Sequence, residues 1–233
     1  MSIADQILYE DNHLIAVNKQ PGQIVQADIT GDTCMADLLK AYIKERDAKP
    51  GNVFCGVIHR LDRPVSGVVL FAKTSKALSR MNQMVKERDF QKIYRAVVTH
   101  MPPASQGHLE DYLVRNAKLN KSFITADSAN PEAKLASLDY RLLATSKGGY
   151  HLLEIELHTG RHHQIRCQLA HMGCPVKGDL KYGAPRSNPD GSISLHAYRV
   201  SFDHPVRHQP VVVTAPQPWQ NMFQEINSEK KTF

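Results

Sequence analysis

Short apolar runs separated by turn residues recur along the chain and predict a series of β-strands. Residues 66–73, SGVVLFAK, are continuously apolar and rich in β-branched side chains, which is typical of a central strand buried on both faces. The Ser-Lys-Gly-Gly stretch at 146–149 predicts a hairpin turn between two later runs. The remaining predicted strands cover residues 14–17, 94–99, 136–145, 151–158 and 194–202.

Apolar residues at helical spacing predict four helices. Thr33 is the predicted N-cap of the first helix, and Thr74 or Ser75 caps the second. The third is predicted over residues 161–171 and the fourth at the C-terminal end of the chain. The apolar positions on which these predictions depend are Met35, Leu38, Leu39, Tyr42 and Ile43; Ala77, Leu78, Met81 and Val85; Ile165 and Leu169; and Trp219, Met222, Phe223 and Ile226.

This mixture of hairpins and separated helices predicts an α+β fold with a largely antiparallel sheet. The chain has 233 residues, 42% of them hydrophobic, which is enough for a substantial core in one large domain or two small ones. No composition shift, low-complexity tract or internal repeat divides it. We therefore expect one domain over residues 1–233.

The N-terminus and the cysteines both favour a cytoplasmic protein. The start, MSIADQ, lacks a basic region followed by an apolar core, and no apolar run is long enough to cross a bilayer. We therefore expect neither export nor a membrane partner. The cysteines show no CxxC pairing and lie in or beside apolar stretches, which predicts reduced packing residues and no structural zinc; they are Cys34, Cys55, Cys167 and Cys174.

A basic excess favours a polyanion as partner. Lys and Arg total 29 against 23 Asp and Glu, so the formal charge is +6 and the pI is near 9.1. Such a charge steers nucleic acid to a protein surface. Many basic proteins bind no nucleic acid, so the charge alone does not decide the function.

The densest cluster of reactive residues is a polar island at 56–67, GVIHRLDRPVSG, between two apolar runs. One interpretation is a solvated surface turn shaped by Pro64 and Gly67. The other is a functional loop, because a single Asp62 among arginines suits nucleophilic carboxylate chemistry. Local composition alone favours the solvated surface turn.

Two further polar segments, TGRHHQIR at 159–166 and GCPVKGDLKYG at 173–183, favour the functional interpretation. Arg166 is able to pair with a distant carboxylate and to hold it ionised. His162, His163 and His171 suggest a metal site instead, but no carboxylate or cysteine completes a recognisable ligand spacing. We therefore expect histidines satisfied within the protein and no bound metal.

The sequence resembles the RluA-type branch of the RNA pseudouridine synthases over roughly residues 7–216. The resemblance is specific because six motifs occur in order along a short chain. They are LIAVNKQPG (14–22), HRLDRPVSG (59–67), KIY (92–94), TGRHHQIR (159–166), GCPVKGDLKYG (173–183) and LHAYRVSFDHP (195–205).

The resemblance implies the pseudouridine synthase fold, a largely antiparallel mixed sheet with helices and loops around a central RNA-binding cleft. It implies that Asp62 is the essential carboxylate, that Tyr94 packs on the uracil face and that Arg166 is the basic partner of Asp62. Arg60 matches the arginine that enters the helix where the flipped uridine was stacked. Ile165 is placed against the base. His59 and Leu61, in the Asp62 motif, are assigned to substrate binding with them.

Two departures from the family pattern are visible. Many members have Thr before the Ser-Gly of the second motif, where this chain reads Pro64-Val65-Ser66. The change alters the rigidity expected of the loop and leaves Asp62 in place. The double histidine at 162 and 163 stands at a position that is often Ser or Thr. No separate N-terminal RNA-binding domain is expected, because the first motif begins close to Met1.

The implied reaction is an isomerisation that needs no cofactor, and the expected partner is structured ribosomal or transfer RNA, not DNA, bound by a monomer. Arg115, Lys118 and Lys121, on a predicted loop at 114–123, are candidates for gripping its backbone; the alternative is a solvated charged turn. Two other functions compete with the isomerase. One is a catalytically silent RNA-binding module of the same fold, and the other is a nucleoside hydrolase that releases uracil.

Overall fold

Eleven β-strands and four α-helices form within residues 2–223, the part of the chain that this computed structural model describes. Their contacts define two compact units. The first comprises residues up to Lys92 together with Ala197–Pro216, and the second comprises Ile93–His196 and the described residues from Gln217 onward. The α+β fold class predicted from the sequence is confirmed by these elements.

The strands of the first unit follow the order β1-β2-β4-β10, with β3 paired to β4 and β11 paired to β10. The pairs β1–β2, β2–β4 and β10–β11 are antiparallel. The elements are β1 (Ile7–Glu10), β2 (Leu14–Lys19), α1 (Met35–Arg46), β3 (Gly56–Val57), β4 (Ser66–Ala72), α2 (Ser75–Glu87), β10 (Leu195–Asp203) and β11 (Pro210–Thr214).

The strands of the second unit follow the order β5-β9-β8-β6-β7, and each neighbouring pair in this order is antiparallel. The chain enters this unit within β5 and leaves it within β10. The elements are β5 (Phe90–Val98), β6 (Gln106–Asn116), β7 (Lys121–Thr125), β8 (Lys134–Thr145), β9 (His151–Leu157), α3 (Gln164–His171) and α4 (Gln220–Phe223).

The core of the first unit lies on both faces of β2 and β4. Leu14 and Ala16 pack in a cluster with residues of α2, whereas Ile15 and Val17 pack in a second cluster with residues of α1. All seven residues of β4 are buried, because helices cover both faces of this strand. Since side chains alternate along a strand, position 19 at the end of β2 shares the α1 face with Ile15 and Val17.

Most predicted elements form, but several boundaries differ. Thr74 caps α2 as predicted, its Oγ1 accepting a hydrogen bond from the Ala77 N–H at 3.1 Å. The predicted cap of α1 is wrong: the N-cap is Cys34, not Thr33, and its side chain makes no capping hydrogen bond. The fourth predicted helix is described only over Gln220–Phe223, and Ile226 lies outside the described residues.

Gly67 permits a close approach of two backbones in the first unit. Its φ is +114°, and a Cβ built on it would lie 2.2 Å from the carbonyl oxygen of Ala197 in β10. Only glycine tolerates both the backbone conformation and the contact. This requirement explains the glycine that ends the HRLDRPVSG motif.

All four cysteines are free and buried, as the sequence predicted. Within residues 2–223, the helices are too short or too polar for any of them to span a membrane.

Candidate active site

The loop that carries Asp62 connects β3 to β4 in the first unit. The Asp62 side chain is half-buried, and its carbonyl accepts a hydrogen bond from the Val65 N–H at 3.0 Å, which closes a tight turn. Leu61 packs against the core cluster beside α1. The loop is therefore anchored to the core on one side of Asp62 and folded back on the other.

Lys19 binds the backbone of this loop through its buried ammonium group. The residue is fully buried, and its Nζ donates to the carbonyls of Val65 at 2.6 Å, Arg63 at 3.0 Å and Gln20 at 3.2 Å. Burial lowers the pKa of Lys19 to about 7, and the negative charge of Asp62 opposes that lowering. Lys19 thus fixes the loop and places a basic group near Asp62.

Replacing Lys19 with Met is expected to destabilise the protein by about 2 kcal/mol or more, since buried carbonyls lose a charged donor. Catalytic activity should fall more steeply than stability, because the Asp62 loop loses its anchor. Chemical denaturation and a turnover assay measure the two effects. Lys76→Met, at an exposed position of α2, is the matched control. Equal behaviour of the two variants would contradict the anchoring role.

A second set of contacts ties the Asp62 loop to residues 20–32. The Gly22 N–H donates to the Arg63 carbonyl at 2.9 Å. The Arg63 guanidinium donates to Asp32 at 2.7 Å and to the Thr30 hydroxyl at 2.9 Å. Arg63 therefore acts within the protein. Arg60, by contrast, is exposed and has no hydrogen bond or ion pair with the rest of residues 2–223. Its contact with substrate stays a prediction.

His59, assigned to substrate binding by sequence, has a structural contact on one ring nitrogen. Its Nε2 accepts a hydrogen bond from the Leu70 N–H of β4 at 3.2 Å, and its ring lies 5.4 Å from that of Phe90. Burial lowers the pKa of His59 to about 3, with a smaller contribution from Lys92. The imidazole is therefore neutral at physiological pH. Its contact with substrate stays a prediction.

In the second unit, the TGRHHQIR motif forms a turn followed by α3. Gln164 organises this turn: its Oε1 accepts from the Thr159 hydroxyl at 2.7 Å and from the Arg161 N–H at 3.0 Å, and its Nε2 donates to the Ser137 carbonyl at 3.1 Å. His163 has a left-handed φ of 51° and precedes the helix. The predicted helix start at Arg161 is therefore wrong, because the side chain of Gln164 stabilises a turn over these residues.

Arg166 is buried in α3 and bound to Asp179. Its Nε and Nη2 donate to the two carboxylate oxygens of Asp179 at 2.6 and 2.9 Å, and its guanidinium lies over the Tyr182 ring at 5.1 Å. Asp179 and Tyr182 belong to the GCPVKGDLKYG motif, so the structure joins two of the motifs found by sequence. The pairing of Arg166 with Asp62 stays a prediction.

Tyr94 and Ile165, the two candidates for stacking on the uracil, are both buried residues of the second unit. Tyr94 is 7% exposed and stands opposite Ile155 in the β5–β9 pair. Ile165 is 5% exposed and directly precedes Arg166 in α3. Their positions in regular elements give both side chains rigid support.

Comparison with known proteins decides what these motifs belong to. The family described as RNA pseudouridylate synthase matches residues 13–171, more than half of the chain. The chain belongs to this family. Its members are isomerases that act on RNA, and the resemblance seen in the motifs is thereby confirmed.

Curated relatives of this pseudouridine synthase carry names of the same kind. An RNA pseudouridine synthase of Chlorobaculum parvum is 30% identical over 91% of this chain and 70% of its own length. A tRNA pseudouridine synthase C of Vibrio cholerae is 30% identical over 94% of this chain and 95% of its own. A ribosomal large subunit pseudouridine synthase D of Neisseria meningitidis is 34% identical over 93% of this chain and 59% of its own length.

Solved structures support the fold assignment. Human RNA pseudouridylate synthase domain containing 4 superposes with a TM-score of 0.77 at 23% identity, covering 93% of this chain and 90% of its own. At that identity the likeness concerns the fold. The predicted pseudouridine synthase fold is confirmed by it.

The basic residues proposed to grip RNA lie on a β-hairpin of this pseudouridine synthase. The prediction of a loop over residues 114–123 is wrong, because β6 continues to Asn116 and β7 begins at Lys121. Arg115 and Lys118 are exposed, at the strand end and in the turn. Lys121 Nζ lies 4.9 Å from the centre of the Tyr182 ring, so its ammonium group already makes a cation–π contact within the protein.

His162 and His163 make contacts that the sequence left undefined. Their rings stack at 3.8 Å. His163 Nδ1 lies 3.0 Å from the Tyr182 hydroxyl, and His162 Nδ1 lies 2.9 Å from the Ser122 hydroxyl. The two rings therefore connect the α3 turn to β7 and to Tyr182, which agrees with the interpretation that they are satisfied within the protein.

Lys19 and Asp179 are the site residues that sequence reasoning missed. Both stand in motifs that carried the resemblance, but neither was given a role. For Lys19 a signal existed, because strand alternation places it with Ile15 and Val17 on a buried face. For Asp179 the sequence offered only a carboxylate within a motif.

Proposed function

We propose that this chain acts as a single catalytic domain that converts uridine in structured transfer or ribosomal RNA to pseudouridine, with Asp62 as the essential carboxylate. The observation that carries the proposal is the construction of the Asp62 loop. A buried lysine, a leucine that packs against the core and a tight turn fix its backbone, while the carboxylate itself stays half-buried. Such support is what a catalytic group requires.

The reaction exchanges one bond for another within the nucleotide. The N1–C1′ bond breaks, uracil turns, the C5–C1′ bond forms, the C5 hydrogen leaves to water as a proton, and N1 takes up a proton from water. Asp62 begins this sequence by attack at C1′, removal of a C2′ proton or addition at C6, and these three routes stay open. Because the base is retained, one carboxylate is sufficient, whereas glycosidases use two. Arg166 is the proposed basic residue of the catalytic set.

Access to the glycosidic bond requires the uridine to leave its stack, which costs a few kcal/mol. Tyr94 and Ile165 supply the replacement surface, worth about 1 to 3 kcal/mol per stacked base. Arg60, exposed and without a partner in residues 2–223, fills the vacated place in the RNA. Tyr94 and Ile165 lie in a strand and a helix, which hold a stacking surface rigid. Arg60 lies on a loop, where its side chain is able to adapt to the RNA.

The proposal of transfer or ribosomal RNA rests on relatives named for those two substrates. The protein is expected to act on them in the cytoplasm, as a monomer. Pseudouridine mapping of total RNA from cells with and without the gene identifies the target. We expect a position that loses its modification when the gene is deleted and regains it with the wild-type gene, but not with the Asp62→Ala gene. Unchanged maps in deleted cells would contradict the function.

Removal of the three basic residues of the β6–β7 hairpin is expected to reduce the electrostatic contribution to RNA binding. Arg115→Ala, Lys118→Ala and Lys121→Ala together should reduce the slope of log K against log salt by about 1 for each phosphate that is no longer neutralised. Titrations at several salt concentrations measure that slope. The control removes three exposed lysines elsewhere, Lys44, Lys76 and Lys86. A hairpin variant with the wild-type slope would mean that these residues form a solvated charged turn.

A further inference from the structure

Two histidines and an aspartate of the second unit form a cluster outside the family motifs. His158 directly precedes the TGRHHQIR motif. His108 Nδ1 lies 2.6 Å from one carboxylate oxygen of Asp139, and His158 Nε2 lies 2.7 Å from the other. The three ligand atoms all lie within 4.8 Å of one another. The side chains of His108 and Asp139 are about half exposed, so solvent reaches the cluster.

Strand pairing brings these residues together. His108 in β6 stands directly opposite Asp139 in β8. Asp139 stands opposite Glu156 in β9, and His158 follows two residues later on the same face, just beyond the strand. Three chain segments, separated by 31 and 19 residues, thus contribute one ligand atom each. No sequence spacing shows such a cluster in advance.

We propose that His108, Asp139 and His158 bind a divalent transition-metal ion of the zinc, cobalt and nickel class. Two imidazole nitrogens and a carboxylate oxygen are a common ligand set for these ions. Ligand atoms at about 2.0 to 2.2 Å from a tetrahedral ion are separated by about 3.4 Å, so the present spacing needs only a small rotation of the side chains to admit one.

Glu110 supplies an outer contact for one of the ligands. Its Oε2 lies 3.8 Å from Nε2 of His108, the ring nitrogen that does not face Asp139. At that distance the carboxylate makes no hydrogen bond to the ring, but its negative charge favours a cation beside His108. Because the site is open to solvent, water completes the coordination of the ion.

The site lies on the face of β8 opposite α3. Ala136 packs in a cluster with Cys167 of α3, and Asp139, three residues further along the strand, points to the other face. The candidate catalytic residue Arg166 belongs to α3. The ion would therefore link β6, β8 and the residue that follows β9. Its expected effect is on the stability of this sheet, without direct participation in the isomerisation.

Cobalt titration of the full chain, prepared without a histidine tag, tests the proposal. We expect one equivalent of Co²⁺ to bind with the visible absorption of a nitrogen and oxygen site, Zn²⁺ to displace it, and Zn²⁺ to raise Tm. Mg²⁺ should do neither, because it prefers oxygen ligands. Removal of a single hydrogen-bond partner of a metal ligand costs about 10- to 100-fold in affinity, so His108→Gln and His158→Gln should each weaken binding by more than about 100-fold.

His100→Gln is the matched control, because His100 is an exposed histidine of the same unit outside the cluster. It should keep the cobalt spectrum and the zinc-dependent rise in Tm. All three variants alter exposed or half-buried side chains, and circular dichroism checks that they fold. Absence of stoichiometric binding to the wild type would overturn the proposal, leaving Asp139 as the hydrogen-bond acceptor of two imidazoles. Undiminished binding by His108→Gln would overturn it as well.

Discussion

Asp62→Asn is expected to reduce pseudouridine formation by about 10³-fold or more, since it removes the only carboxylate assigned to the reaction. The amide has nearly the same shape but cannot act as the anionic nucleophile or base. RNA carrying tritium at uracil C5 gives the readout, because formation of the new C–C bond releases that hydrogen to water. RNA affinity should stay close to that of the wild type, since contacts to the RNA backbone supply most of it, and circular dichroism checks that the variant folds.

Asp203→Asn is the matched control for this substitution. Asp203 is an exposed residue at the end of β10 in the same unit, and its replacement should leave tritium release unchanged. Equal release by Asp62→Asn and the wild type would show that the catalytic residue has been misplaced.

The largest expected effect on stability comes from Asp179→Ala. Asp179 and Arg166 have side chains only 1% and 6% exposed, and two hydrogen bonds join them. Removing one partner of such a buried pair costs about 3 to 5 kcal/mol, because the other keeps its desolvation penalty and loses its main compensation. Urea denaturation measures the loss, and activity should fall with it because Arg166 is no longer held.

Asp37→Ala serves as the comparison, because its ion pair with Lys40 is exposed on α1. Exposed pairs contribute little. A loss of stability in Asp179→Ala no greater than that in Asp37→Ala would contradict a structural role for the Arg166–Asp179 pair. Asp179→Asn, which keeps one carbonyl acceptor, should fall between Asp179→Ala and the wild type.

Much of the fold was readable from local pattern. The run SGVVLFAK predicted a strand buried on both faces, and β4 has helices on both faces. Thr74 predicted the start of α2 because a hydroxyl before a run of helical spacing caps the first turn. These features depend on residues close together in sequence.

The errors arose where side-chain hydrogen bonds or strand pairing overrode the local pattern. At residues 161–163 the periodicity suits a helix, but Gln164 binds Thr159, Arg161 and Ser137 and thereby stabilises a turn. At residues 114–123 we predicted a loop, whereas pairing with β8 extends β6 as far as Leu113 and pairing with β7 carries it to Asn116.

The candidate site was predictable at the level of motifs and not of contacts. Asp62, Tyr94 and Arg166 could be selected because their motifs resemble those of a family with known chemistry. The support given by Lys19 to the loop, and by Asp179 to Arg166, depends on three-dimensional proximity across 44 and 13 residues. His108, Asp139 and His158 meet only through strand register, so the sequence alone did not single them out.

The central claim is that this chain isomerises uridine within RNA and releases no base. Its most direct test is incubation of the wild-type protein with transfer and ribosomal RNA transcripts labelled in the uracil ring, followed by digestion to nucleosides and chromatography of both nucleosides and free bases. We predict that labelled pseudouridine appears in an amount equal to the uridine consumed, with no free uracil. Release of labelled uracil, or a nucleoside profile that does not change on incubation with any of these transcripts, would contradict the account.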